Sequence, residues 1–167
     1  MKCCMGIGVA VLLAVMGTAA LQAEELTSKD VDVLMRKASE AYKAEQIAEA
    51  IEFYRQAADW GNAWGQNNLA WILATFRQEK FRNGSLALYY ARKAADQEPK
   101  NPAFVRTLAA AYARIGDFDK AVALQKRMLE LTEAVTTLSD ELKETIRADH
   151  QGKLDLYQRG YAYIDPQ

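Results

Sequence analysis

The sequence predicts an all-α fold built from stacked pairs of amphipathic helices, and three observations carry that expectation. Apolar residues recur at helical spacing along most of the chain. The period is sharpest where Leu108, Ala109 and Tyr112 form one stripe, Gly116-Asp117 breaks it, and Phe118, Ala121 and Val122 restart it. Three alanines that each open the second helix of a pair, Ala50, Ala87 and Ala121, lie 37 and 34 positions apart (87−50 and 121−87). With only three prolines and nine glycines in 167 residues, little of the chain is left for irregular structure.

Each element follows from its own stripe. The first helix starts near Ser28, an N-cap candidate, and carries Val31, Leu34, Met35, Ala38, Ala41 and Tyr42. After a turn near Glu45-Gln46, Ile47, Ala50, Ile51, Tyr54, Ala57 and Ala58 mark the second helix, which Gly61-Asn62 ends. A third runs from about Ala63 to Phe76 on Leu69, Ala70, Ile72, Leu73 and Phe76. The polar stretch from Arg77 to Asn83 and the Asn83-Gly84 turn separate it from a fourth, about Ser85 to Gln97. Pro99 and Pro102 bracket a loop, because proline cannot continue a helix interior. Two helices follow, about Ala103 to Ile115 and Phe118 to Leu131, and a last one covers Ser139 to Gln158 with Gly160 just past its end.

The N-terminus is a separate object. Met1-Lys2 is basic, Cys3 to Ala20 has no charge, and Ala19, Ala20 and Ala23 precede Glu24-Glu25. This predicts a signal peptide over residues 1–23, cleaved after Ala23, and hence an exported protein in a bacterial periplasm or secreted. The competing reading is a retained anchor, since the apolar run is just long enough to span a bilayer. Cleavage would remove both cysteines and with them disulfides, a reactive thiol and thiolate metal sites. Lys and Arg total 21 against 22 Asp and Glu, a balance that argues against a nucleic-acid partner.

The residues offer little chemistry. His150 is the only histidine, and its flanks Asp149 and Gln151 predict a solvated side chain rather than a catalytic one. Asp117-Phe-Asp119 lacks the further oxygen ligands of a calcium loop; its acidic groups suit the start of a helix. No cofactor, metal site or enzyme activity is expected.

The segment Thr107-Leu-Ala-Ala-Ala-Tyr112-Ala-Arg-Ile-Gly116-Asp-Phe118-Asp-Lys-Ala121 resembles the helix-turn-helix unit of a tetratricopeptide (TPR) repeat, whose period is about 34 residues. Ala38, Ile47, Ala50, Tyr54 and Ala57 fit the same pattern in the first unit. There, Ala57-Ala58-Asp-Trp-Gly61 also looks like the related Sel-like repeats. From Asn67 to Tyr163 the chain is similar to a recurrent bacterial TPR family whose usual ending is matched by Leu154-Asp-Leu156-Tyr157-Gln-Arg-Gly160-Tyr-Ala162-Tyr163, with Ala162 in place of proline. The resemblance implies a right-handed superhelix over residues 24–167, with repeats at about 28–61, 62–98 and 102–133 and a capping helix at about 138–159.

The first helix of each TPR pair lines a concave groove. Carried onto this chain, the pattern directs Trp64, Asn67, Trp71 and Thr75 toward that groove, with packing between repeats as the alternative for the tryptophans. Asn68, Arg106 and Arg114 supply an amide and two cations for charge-assisted bonds to a peptide. The carboxylate clamp of some TPR domains is not expected, because Met35 and Ser39 stand where it needs Lys and Asn. The resemblance thus implies a non-catalytic adaptor in the cell envelope, binding a protein or peptide and no membrane after cleavage. Rivals are a self-associating module that forms homodimers and a small enzyme.

Overall fold

The structure, a computed structural model, describes residues 27–166. The predicted signal segment, 1–23, lies outside them. Among the described residues the chain is all-α, as expected: α1 (Ser28–Lys43), α2 (Ile47–Trp60), α3 (Ala63–Thr75), α4 (Gly84–Gln97), α5 (Pro102–Arg114), α6 (Phe118–Glu133) and α7 (Asp140–Gln158), with one 3-10 turn at Glu79–Phe81. None of these helices is long and apolar enough to cross a membrane.

Short polar side chains start most helices by accepting an otherwise unpaired backbone N–H: Asn62, Asn83, Asp117 and Ser139 do so for α3, α4, α6 and α7. The cap of α1 is Thr27 rather than the expected Ser28. Asp30 N–H donates to Thr27 Oγ1, and the Asp30 carboxylate accepts from Thr27 N–H at 2.9 Å, a reciprocal box for which Ser28 is already one position too far along. Pro102 is the first residue of α5, where its missing N–H costs nothing, so it opens that helix while Asn101 caps it.

Successive helices from α1 to α7 pack on one another, and α3 also packs on α5. The main core runs through α1 to α5 and is filled by alternating large and small residues, including Ala38, Ile51, Tyr54, Leu69, Leu73, Ala87 and Tyr90. A second cluster joins α5, α6 and α7 through Ala109, Tyr112, Ala121 and Tyr157. Small residues set the approach of α2 and α3. A Cβ built on Gly65 would stand 2.9 Å from Ala57 Cβ and 3.0 Å from Ala58 N, so only glycine fits there. The exposed side of α7 is charged, with Asp140, Glu141, Glu144 and Arg147 in solvent.

Candidate functional site

After α7 the chain leaves its helical path at Gly160, whose φ of +76° lies in the left-handed region. Residues 161–166 form no regular secondary structure. They run back across α3 and α5 and are held there at three points. Asp165 N–H donates to the Thr75 carbonyl at 2.8 Å. The Trp71 indole N–H donates to the Asp165 carboxylate at 3.1 Å. Arg114, on the last turn of α5, donates to the Tyr163 carbonyl at 2.9 Å and to the Ala74 carbonyl at the end of α3.

Aromatic and cationic groups fill the space between these bonds. The Tyr163 ring lies 6.0 Å from the Trp71 ring, tilted by 39°. The Arg106 guanidinium, from the middle of α5, sits 4.5 Å from the centroid of Trp71. Lys153, from α7, places its ammonium 4.8 Å from the Tyr163 ring and pairs with Asp149. Both geometries suit cation–π attraction. Burial pulls the Arg106 guanidinium below its ordinary pKa, with Asp149 and Asp165 acting in the opposite direction. It stays charged at any physiological pH all the same. Burial raises the Tyr163 phenol above its ordinary pKa, and the Asp165 and Asp149 carboxylates raise it further, so it stays neutral.

Beside the tail, Tyr42 of α1, Tyr54 of α2, Asn68, Trp71 and Ile72 of α3, and Asp165 line an open cavity of about 270 Å³. Helix α3 thus presents one polar-aromatic stripe toward both the cavity and the tail, because positions 68, 71, 72 and 75 share a helix face.

The seven residues predicted for a groove fall into distinct settings. Trp71, Thr75, Arg106 and Arg114 come together around the tail, as described. Asn68 is half-buried at the cavity. Asn67 is buried; its amide N–H donates to Asn68 Oδ1 at 3.1 Å while its own Oδ1 is buried without a hydrogen-bond partner. Trp64 is 47% exposed and packs edge-on against Phe104, 4.8 Å between centroids. Lys153 and Asp165 belong to the assembly and were not singled out from sequence. The available signal was helical: Lys153 follows His150 by three and precedes Tyr157 by four, on the inner stripe of α7.

No protein-family model matches the chain, and no curated protein matches it.

His150 corrects its expectation. It is 6% exposed rather than solvated, and its backbone carbonyl accepts from the buried Gln125 amide of α6. Burial, then the nearby Lys153 and Arg106 cations, push its pKa down to about 4, against a smaller pull from Asp149. Its Nδ1 is buried without a partner. Among the described residues no group of three or more His, Cys, Asp or Glu side chains gathers as a metal site.

Proposed function

We propose that this chain is an exported, non-catalytic adaptor of the TPR type that holds a segment of another protein on the face formed by α1, α3 and α5. The observation that carries the reading is the seat of residues 161–165 on that face. A stretch of non-helical chain is bound there through its backbone and its side chains together: one N–H, one carbonyl, one ring and one carboxylate each have a partner on α3, α5 or α7. That is the chemistry of peptide recognition, in which main-chain bonds give affinity and side-chain seats give selectivity. The helix-pair resemblance and the 37- and 34-residue spacing of Ala50, Ala87 and Ala121 support the TPR assignment. The uncharged segment Cys3 to Ala20 and the alanines that follow support export.

The test uses the mature protein as bait in envelope extract, followed by affinity measurement on the partner recovered. Trp71→Ala with Arg106→Ala should weaken that partner at least tenfold with the helical circular dichroism retained. The control pair is Lys93→Ala with Lys126→Ala, both exposed. Equal affinity for the two double variants would reject this face as the binding site.

A further inference from the structure

The seat of the tail is specific, and it is already taken. Two side chains of the tail, Tyr163 and Asp165, meet specific partners on the helices, while Tyr161 and Ile164 point to solvent. The ring of Tyr163 contacts both the Trp71 ring and the Lys153 ammonium. Two residues on, the Asp165 carboxylate meets the indole N–H of the same tryptophan. The backbone between them is fixed at the Tyr163 carbonyl by Arg114 and at the Asp165 N–H by Thr75. Arg106, Arg114 and Lys153 lie within this seat and Asp149 pairs with Lys153, so the seat keeps a net positive charge that complements a segment bringing an acid. The tail follows α7 through Gly160, and Ala162 and Tyr163 pack, partly buried, against the cluster that joins α5, α6 and α7.

From this we infer that the face selects an aromatic residue followed two positions later by a carboxylate, and that the chain's own Tyr163-Ile-Asp165 is a built-in occupant which such a partner must displace. The inference rests on the reading of this face as a peptide site and adds the chemistry of the ligand and the competition in cis. The tethered segment acts as a high local concentration of competitor, so the open face is a minor state. The apparent affinity for a partner is reduced by the fraction of molecules with the tail out.

The probe is a fluorescein-labelled peptide of residues Tyr161–Gln167, read by anisotropy against the mature protein. Wild type should bind it weakly. A protein carrying Tyr163→Ala and Asp165→Ala, which loosens the tail but leaves the receptor, should bind it at least tenfold more tightly. Peptides carrying Tyr163→Ala or Asp165→Ala should each lose at least fivefold on that loosened protein. Adding Trp71→Phe, which keeps a ring and removes the indole N–H, should shrink the penalty of the Asp165→Ala peptide in particular.

Four results would overturn the inference. One is equal affinity for wild-type and loosened protein, and another is equal affinity for the three peptides. A third is loss of the helical signal in the loosened protein, which would make the tail part of the core. The last is a doubled mass of the loosened or wild-type protein, reversible on dilution, which would make the occupant the tail of a second copy. If the peptides fail while the extract partner still depends on Trp71 and Arg106, only the ligand chemistry and the competition fall, and the binding face stands.

Discussion

The environment of His150 changes how the molecule responds to acid. Its ordinary pKa of 6.5 falls to about 4 in the folded protein. The unfolded chain therefore takes up a proton at a higher pH than the folded one does. The contribution to stability is complete above about pH 6.5 and is lost as the pH falls through about 4. At roughly 1.4 kcal/mol per unit, the loss is up to about 3 kcal/mol. Urea midpoints at pH 7 and pH 4 should fall further for wild type than for His150→Gln, which fills the site with a side chain that does not titrate. Parallel losses would show that the imidazole does not feel its surroundings. Asp149 and Gln151 suggest a solvated histidine only because they are its neighbours in sequence. On a helix the neighbours in space are Ile146, Lys153, Leu154 and Tyr157, three, four and seven positions away, and these face inward or lie half-buried.

At the scale of the element, the contacts that matter are between backbones, and alanine and glycine control them. Gly65→Ala adds a methyl group 2.9 Å from Ala57 Cβ and 3.0 Å from Ala58 N, so α2 and α3 must separate. Ala121→Leu does the same where α6 meets α5 and α7, at a residue with no exposed surface. Each should cost about 1–3 kcal/mol in denaturant titration. An unchanged midpoint for Ala121→Leu would mean that this position does not set the α5–α6 approach. The helices themselves were legible from period and punctuation, with ends correct to within a few residues. The stretch between α3 and α4 was less so. Read as a polar turn, it contains a 3-10 turn whose Phe81 packs edge-on against Phe76 at 5.6 Å, and Arg82 donates to the Phe76 carbonyl at 2.9 Å. A single aromatic in a charged stretch has no periodicity to announce it.

Across the whole molecule, Arg114 joins two distant parts of the chain, and the resemblance to a groove cation did not foresee it. As an exposed groove residue it could be replaced by alanine at a cost of about 0.5 kcal/mol or less. In the structure it bonds both the Ala74 carbonyl and the Tyr163 carbonyl. Arg114→Ala should therefore cost about 1.5–3 kcal/mol, the range for hydrogen bonds to a charged group. It should also speed amide hydrogen exchange at Asp165. Exchange and midpoint both equal to those of Lys126→Ala would remove Arg114 from the connection. The face of α3 and α5 was legible because its residues lie within helices of known period. The tail was not. Trp71 and Asp165 are 94 positions apart, and nothing in either local sequence encodes their meeting.

That separation has a kinetic consequence. A stack in which each helix touches the next folds mostly through contacts between neighbours in sequence, the fast regime. The bonds between α3 and the tail belong to the opposite regime, since they close a loop through α4, α5, α6 and α7 and pay its entropy only when those helices are in place. They should be absent from the rate-limiting barrier. Loosening the tail with Tyr163→Ala and Asp165→Ala should accelerate unfolding in stopped-flow measurements and leave the refolding rate unchanged. An equal effect on both arms of the chevron would place the tail in the folding nucleus. In the expected case the molecule completes its helical stack first and fastens it last.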